Sequence, residues 1–140
     1  MSAPIVIGLD LPAEHQYLNI VGACVIALFE RIEDVLDRET LSYSIQLAVQ
    51  ETCANIVDHA YNGTANGRIS IEILLSADPR QMIISIDDTG HPFDPSLVRE
   101  PDLDGTQVRG YGLYLMRKLM DEVTYERQTK HNHWRLVKRL

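Results

Sequence analysis

The sequence has few cysteines, a shortage of positive charge and no long hydrophobic run, and each shortage excludes a class of protein. Its 2 cysteines, Cys24 and Cys53, form no Cys-x-x-Cys pair and belong to no cysteine/histidine cluster, which argues against a structural metal site. Both lie among apolar neighbours in predicted helices, as buried thiols of a reducing compartment do. We therefore expect two free thiols rather than a disulfide.

Basic residues are outnumbered, because 13 Lys and Arg stand against 20 Asp and Glu and leave a net charge of −7. This balance argues against broad binding to nucleic acid or to anionic membranes, although it leaves a local basic patch open. No window approaches about 18 uninterrupted apolar residues, and residues 1–15 lack the basic and apolar regions of a signal peptide. We expect a cytoplasmic protein that makes no direct contact with nucleic acid or membrane.

What the sequence does contain is the periodicity of a globular domain. Its 140 residues, 45% hydrophobic and 24% charged, suit one domain spanning residues 1–140. Apolar residues three and four apart predict a helix from about residue 14 to 36 and a second from about 40 to 61. Thr40 is the expected N-cap of the second helix, and a third helix is expected over residues 112–122.

Alternating apolar residues predict five short strands, over residues 5–9, 68–75, 81–87, 123–127 and 134–138. Asp78 and Pro79 are the expected turn of one hairpin, and the segment QTKHNH, residues 128–133, is the expected loop of another. Strands and helices that do not alternate strictly favour a sheet covered on one side. We predict an α/β fold, a two-layer α/β sandwich with a mostly antiparallel sheet and helices packed on one face.

The second predicted helix carries two stripes. The apolar stripe is formed by Ile45, Val49, Cys53, Ile56 and Ala60. Beside it runs a polar stripe, with Glu51 and Asn55 one turn apart, followed by Asp58 and His59. An amide oxygen such as that of Asn55 suits Mg²⁺, and Glu51 is placed to act as a general base nearby. Taken alone, Glu51 and Asp58 would be read as a solvated face and His59 as a structural histidine.

Two glycine-containing segments are further candidates. In IDDTGHPFDP a strand runs into Asp88 and Gly90, so that a carboxylate at the strand end can accept a hydrogen bond from an exocyclic amine, with Phe93 as an apolar wall. In RGYGLYLM, Gly110 and Gly112 open a helix whose free N–H groups attract an anion. Each segment by itself is equally typical of an ordinary turn. The second is neither a Walker loop nor a dinucleotide fingerprint.

Taken together and in this order, the motifs resemble one family. ETCANIVDHAY resembles the N-box of the Bergerat-fold (GHKL) ATPases, the group that includes the histidine kinases. IDDTGHPFDP resembles the first glycine box of that family, and GYGLYLMRKLMDEVTY resembles the second. The motifs more closely resemble the small anti-sigma-factor serine kinases of the RsbW type, and this resemblance covers nearly the whole chain.

The resemblance implies ATP and Mg²⁺ as cofactors and a role for each motif residue. Asn55 would coordinate the Mg²⁺ that bridges the ATP phosphates, and Glu51 would activate the acceptor hydroxyl. Asp88 would bind the adenine amino group, and Gly90 would let the base approach. The start of the phosphate-binding helix would comprise Gly110, Gly112 and Leu113. Residues from about 94 to 110 would form the ATP lid, in which a phosphate contact from Arg99 or Arg109 is left open.

The resemblance also implies partners. The acceptor would be a serine or threonine of a STAS-type anti-sigma-factor antagonist, a sigma factor would be a second partner, and the kinase would be a homodimer. One departure concerns Pro92, which stands where the broader superfamily often has the second glycine of Asp-x-Gly-x-Gly. Proline lacks an N–H donor, so any nucleotide contact from that backbone group is lost.

Two other functions remain as alternatives. The first is a nucleotide-dependent binding module that sequesters a regulatory partner with little or no phosphotransfer. The second is a metal-dependent hydrolase, whose candidate ligands would be Asp58, His59, Asp87, Asp88 and His91, although their spacing matches no established metal-ligand pattern. Autophosphorylation on histidine is disfavoured, since no separate histidine-bearing helical region precedes the ATPase-like motifs.

Overall fold

A computed structural model describes residues 3–64, 66–94 and 112–140. The described strands are β1 (Ile5–Pro12), β2 (Arg68–Ala77), β3 (Arg80–Asp88), β4 (Glu122–Gln128) and β5 (His131–Arg139). The described helices are α1 (Leu18–Phe29), preceded by a 3₁₀ turn (His15–Tyr17), α2 (Arg38–Asn55), which continues into a π-helical turn (Ile56–Ala60), and α3 (Gly112–Leu119). The strands form one sheet in the order β1-β2-β3-β5-β4, and every neighbouring pair is antiparallel.

One face of this sheet is covered by the helices. Along β3, Met82, Ile84 and Ile86 are fully buried, whereas the residues between them are half-buried. Side chains alternate across a strand, so the buried set faces the helices and the other set faces away. This arrangement confirms the predicted two-layer α/β sandwich.

The apolar stripe of α2 packs into the core as predicted. Ile45, Val49, Cys53 and Ile56 are each at most 2% exposed. Beyond Asn55 the helix widens into the π-helical turn, in which the Tyr61 N–H donates to the Ile56 carbonyl. The polar stripe consequently lies at the edge of the core, where Glu51 and Asn55 are half-buried.

The first helix is shorter than the sequence pattern predicts. It ends at Phe29 rather than near residue 36, although Ile32 is buried and Val35 packs against the core. Asp34 and Asp37 adopt left-handed backbone angles, with φ of 57° and 54°, and aspartate tolerates this region better than most residues. The apolar spacing therefore continues into an irregular segment that still contacts the core.

The predicted N-cap of α2 is also wrong. The helix begins at Arg38, directly after the left-handed Asp37, so Thr40 lies inside its first turn and is not the N-cap. The Arg38 guanidinium donates to the Phe29 carbonyl. This bond closes the connection between the two helices, and the chain enters α2 earlier than the position of Thr40 suggests.

The last hairpin is tighter than predicted. The segment expected as a loop over residues 128–133 contains only a two-residue turn, Thr129 and Lys130, since β4 extends to Gln128 and β5 begins at His131. Lys130 supplies the left-handed angle of the turn, with φ of 56°. His131, Asn132 and His133 therefore belong to a strand, and α3 likewise stops at Leu119 before β4 begins.

None of the helices in the described parts of the chain is long and apolar enough to cross a membrane.

Because β3 is buried on one face and half-buried on the other, truncating an isoleucine to alanine should destabilise the fold by different amounts on the two faces. Replacing the fully buried Ile84 by alanine should lower the free energy of unfolding by about 2–5 kcal/mol, because it leaves a cavity between sheet and helices. The neighbouring Ile83→Ala, on the half-buried face, should cost less than half as much. Denaturant unfolding of both variants measures the difference, and equal losses would mean that the outer face is covered as well.

Candidate functional site

The polar stripe of α2 meets the start of α3. A Cβ atom added to Gly112 would lie 3.1 Å from Glu51 Oε2 and 3.2 Å from Asn55 Nδ2. Beneath the polar stripe, α2 and α3 are in contact through the fully buried Thr52. Its hydroxyl donates to the Ala48 carbonyl of α2 and contacts the Met116 sulfur of α3. The fold therefore brings a carboxylate, an amide and a helix N-terminus to one place.

Leu113 follows Gly112 and turns inward. Its side chain is buried in the main core cluster, so α3 is anchored from its first turn. Gly110, Arg99 and Arg109, and the lid expected over residues 94–110 apart from Asp94, lie outside the described residues.

Asp88 ends β3 on the helix-facing side of the sheet and is 3% exposed. Its Oδ1 accepts hydrogen bonds from the Gly90 N–H at 2.9 Å and from Asn132 Nδ2 at 2.8 Å. Its Oδ2 is buried and has no hydrogen-bond partner among the described residues. A buried acceptor without a partner is rare in folded proteins, so this oxygen has the properties of a ligand contact.

Burial raises the pKa of the Asp88 carboxyl above its ordinary value. The hydrogen bonds from Asn132 and Gly90 and the electrostatic effects of Arg127 and His131 oppose this rise in the pKa but do not cancel it. The ionised carboxylate is consequently a cost to the folded state. Such a cost is common where a polar group is positioned for binding rather than for stability.

Asn132 is a site residue that the sequence pattern did not reveal. It is 1% exposed, and its amide donates to Asp88 Oδ1 and, at 2.8 Å, to the His91 carbonyl. Its own oxygen accepts hydrogen bonds from the Tyr125 hydroxyl and from Arg127 Nη1. The signal that would have found it is alternation, because Asn132 precedes Trp134 and Leu136 on the buried face of β5.

The packing of the protein requires glycine at position 90. A Cβ atom at this position would lie 2.4 Å from the Ala60 carbonyl oxygen, and the next residue, His91, donates its N–H to that oxygen at 2.7 Å. The close approach that a glycine permits here is to the end of α2. Tyr61 extends the contact, since its hydroxyl accepts the Thr89 N–H at 3.0 Å and donates to the Arg68 carbonyl at 2.7 Å.

Phe93 belongs to an aromatic cluster at the β4–β5 end of the sheet. Its ring centroid lies 5.5 Å from that of Tyr125 and 5.1 Å from that of Trp134, in edge-to-face arrangements, which are favourable for such rings. The Phe93 N–H donates to the Tyr125 hydroxyl at 2.8 Å. Phe93 thus holds the segment after Gly90 against the sheet, and its role as a pocket wall stays a prediction.

No three residues of the hydrolase alternative form a potential metal-ligand group in the described parts of the chain. Asp58 pairs with His15 at 2.7 Å, and His59 and His91 are exposed. Asp87 and Asp88 point to opposite faces of β3 because they are consecutive in a strand. This separation removes the structural basis for a hydrolase built on these five residues.

The two cysteines are free thiols. Cys53 lies between Glu51 and Asn55 in sequence but points into the core, where burial raises its pKa to about 12. A thiol that stays protonated at neutral pH is a poor nucleophile. Cys53 therefore contributes packing to the site and no covalent chemistry.

Comparison with known proteins identifies the family to which this chain belongs. Residues 13–138 match the family model described as the histidine kinase-like ATPase domain. A solved structure of the RsbU and RsbW domains of Rv1364c from Mycobacterium tuberculosis has the same fold, with a TM-score of 0.67 and 21% identity, and the match covers 99% of this chain and 33% of that chain.

Curated relatives narrow the class. The serine-protein kinase RsbW of Bacillus velezensis is 32% identical over 84% of this chain and 75% of its own length. The serine/threonine-protein kinase BtrW of Bordetella bronchiseptica is 33% identical over 69% of this chain and 70% of its own length. The chain therefore belongs to the RsbW-type serine-protein kinases, within the family of histidine kinase-like ATPase domains.

The contact of Gly90 with Ala60 predicts a strong effect of one added methyl group. Gly90→Ala should lower the free energy of unfolding by about 1–3 kcal/mol, because the new Cβ atom meets backbone atoms that cannot rotate away. Gly8→Ala is the matched control, since a Cβ atom there has nothing within 4 Å and should change stability by less than about 0.5 kcal/mol. Thermal and denaturant unfolding compare the two, and equal stabilities would contradict the packing role of Gly90.

Proposed function

We propose that this protein is an ATP-dependent serine/threonine protein kinase that acts as an anti-sigma regulatory factor. In this proposal it phosphorylates a serine or threonine of a STAS-type anti-sigma-factor antagonist, binds a sigma factor as its second partner and works as a homodimer. The observation that carries the proposal is the close approach of the Gly112 backbone to Glu51 and Asn55, which leaves no free space for a Cβ atom between them. Phosphoryl transfer depends on positioning and on charge neutralisation at one point, and this contact supplies groups for both.

The adenine end of the proposed ATP site is Asp88. Its unpartnered, buried Oδ2 fits the exocyclic amino group of adenine, which is a hydrogen-bond donor and carries no charge. Because Oδ1 is already held by Gly90 and Asn132, the direction of Oδ2 is set before any nucleotide binds. Gly90 also belongs to this end, where it allows the loop after β3 to pass close to α2.

The phosphate end is the start of α3. In the proposal Gly110, Gly112 and Leu113 present backbone N–H groups to the phosphates, as the free N–H groups at a helix N-terminus do for anions. Gly112 has no side chain that would separate this backbone from Glu51 and Asn55. The reacting groups can therefore approach both helices closely.

Asn55 is the proposed Mg²⁺ ligand. Its amide oxygen is a hard donor next to a carboxylate, and Mg²⁺ typically takes one or two protein oxygens and completes its coordination with phosphate and water. When bound, the ion neutralises charge on the phosphates and orients them for in-line transfer.

Glu51 is the proposed general base. Its carboxylate lies one helical turn before Asn55 and faces the same point. It would accept the proton of the incoming serine or threonine hydroxyl as that oxygen bonds to the γ-phosphorus, and the bond from phosphorus to the bridging oxygen of ADP breaks. The products are the phosphorylated partner and ADP.

The variant Asp88→Asn should weaken ATP binding without lowering the stability of the fold. The new amide would point a donor at the adenine amino group, so ATP affinity should fall about 10- to 100-fold. The pKa of Asp88 is raised by burial, so its carboxyl stabilises the fold below the unfolded pKa and loses that contribution as pH rises through the folded pKa. At pH 7 the variant should therefore be at least as stable as the wild type, and this advantage should vanish near pH 4.

Nucleotide titration and thermal unfolding at both pH values test this pair of effects. An Asp88→Asn variant with unchanged ATP affinity would remove Asp88 from the adenine site. A variant that loses affinity because it has unfolded would show a lowered unfolding midpoint at pH 7, which is the opposite of the expected direction.

Glu51→Gln tests phosphotransfer directly. Loss of a general base typically slows transfer about 10²- to 10⁴-fold, whereas ATP affinity should change little because the side chain keeps its shape. The measurement is transfer of labelled γ-phosphate to purified STAS-domain antagonists encoded in the same genome. Glu39→Gln is the matched control, since Glu39 is an exposed carboxylate in the first turn of the same helix.

A normal transfer rate in Glu51→Gln would place the base elsewhere. Tight ATP binding without transfer by the wild type to any antagonist would instead favour the nucleotide-dependent binding module.

A further inference from the structure

A second polar cluster lies on the face of the sheet that turns away from the helices. It consists of Asp87 at the end of β3 and of His131 and His133 at the start of β5. Asp87 stands directly opposite His133 in the antiparallel register, and His131 lies two residues earlier, so all three side chains project from the same face. The proposed nucleotide site on the opposite face uses none of them.

The cluster converges on one oxygen atom. Asp87 Oδ1 lies 2.5 Å from His131 Nε2 and 2.7 Å from His133 Nδ1. The potential ligand atoms of the three residues all lie within 4.8 Å of one another. A tetrahedral zinc ion with bonds of roughly 2.0–2.2 Å holds its ligand atoms about 3.3–3.6 Å apart, so an ion requires each of the two oxygen–nitrogen distances to lengthen by about 0.6–1.1 Å.

The side chains have room for this adjustment. The exposed fractions of the Asp87, His131 and His133 side chains are 31%, 36% and 28%, so an ion can reach them from solvent. The strand backbone beneath them is fixed by the β3–β5 ladder. The nearest cation along this face of β5, Arg135, is directed toward Glu122 at 3.9 Å. The described surroundings therefore oppose the entry of a cation only weakly.

The type of ligand selects the type of ion. Two imidazole nitrogens and one carboxylate oxygen suit Zn²⁺ and its neighbours Co²⁺, Ni²⁺ and Cu²⁺, whereas Mg²⁺ and Ca²⁺ prefer oxygen ligands alone. Three protein ligands leave a fourth position for water or for a group from another molecule. We propose that Asp87, His131 and His133 form a binding site for a divalent transition metal ion, with Zn²⁺ as its best-fitting occupant.

Such an ion would cross-link the ends of β3 and β5. These are the strand ends whose opposite face carries the hydrogen bond from Asn132 to Asp88. An ion that binds the folded protein but not the unfolded chain stabilises the folded state by mass action. The site does not depend on the proposed kinase activity, because it requires neither ATP nor a protein partner.

The test uses the full chain, prepared without a histidine tag, stripped of metal and titrated with ZnCl₂ in the absence of nucleotide. Isothermal titration should give one ion per chain. Zinc at about 100 times its dissociation constant should raise the unfolding midpoint by about 6–10 °C. The double variant His131→Gln/His133→Gln should bind Zn²⁺ at least about 10-fold more weakly and, at the same zinc concentration, lose at least about half of the shift. His15→Gln is the matched control, since it removes a surface histidine outside the cluster.

A second variant and a second ion guard against a folding artefact. Asp87→Asn keeps both imidazoles, and it should weaken Zn²⁺ binding while circular dichroism shows an intact fold. Co²⁺ should give the visible absorption of a tetrahedral nitrogen/oxygen site in the wild type and lose it in the double variant. Unchanged zinc affinity in the double variant, a cobalt–thiolate band that assigns the ion to a cysteine, or no saturable binding by the wild type would each overturn the proposal.

Discussion

The hydrogen bonds of the buried Asn132 side chain are the interactions that hold Asp88 and the loop after β3 in place. Its amide holds Asp88 Oδ1 and the His91 carbonyl, each at 2.8 Å, and its oxygen accepts the Tyr125 hydroxyl. A buried amide that lost one of these partners would leave unsatisfied polar atoms, so the loop after β3 is confined to one path. Together with the Gly90 N–H, that side chain therefore sets the direction of the Asp88 carboxylate, and it also helps to fix the course of the backbone beyond it.

This course brings the loop against the end of α2. Gly90 and His91 meet the Ala60 carbonyl, at the far end of the helix that carries Glu51 and Asn55. The two ends of the proposed ATP site are thus separated by one continuous helical element, which holds their spacing more firmly than a loop would. The helix widens into its π-helical turn directly after Asn55, and such widening is frequent at functional sites because it re-aims side chains without ending the helix.

Features that repeat along the chain were predictable, and features set by single residues were not. The stripe of Ile45, Val49 and Cys53 and the five strands follow from periodicity, whereas the residues of the proposed ATP site come from the resemblance of three motifs to one family and stay a prediction. The early end of α1 does not follow from periodicity. Ile32 is apolar because it is buried, and it would be buried whether or not the backbone around it is helical. The tight β4–β5 turn depends on the left-handed backbone angle of Lys130. Glycine is the residue that usually marks such an angle in a sequence, so a lysine does not predict it. The role of Asn132 and the packing of Gly90 on α2 arise only when distant segments meet.

Register connects the hydrophobic core to the chemistry at the strand ends. Ile84 and Ile86 of β3 and Trp134 and Leu136 of β5 are all buried on the helix-facing side, and they fix which residues of the two strands pair. The same pairing sets Asp88 opposite Asn132 and Asp87 opposite His133. A slip of one residue would exchange the two faces: it would turn the charged Asp87 inward and remove Asp88 from the helices. The buried residues in the middle of β3 and β5 therefore decide which of the two consecutive carboxylates, Asp87 or Asp88, faces the helices. A change of register would expose these apolar residues to water, and this cost keeps one register.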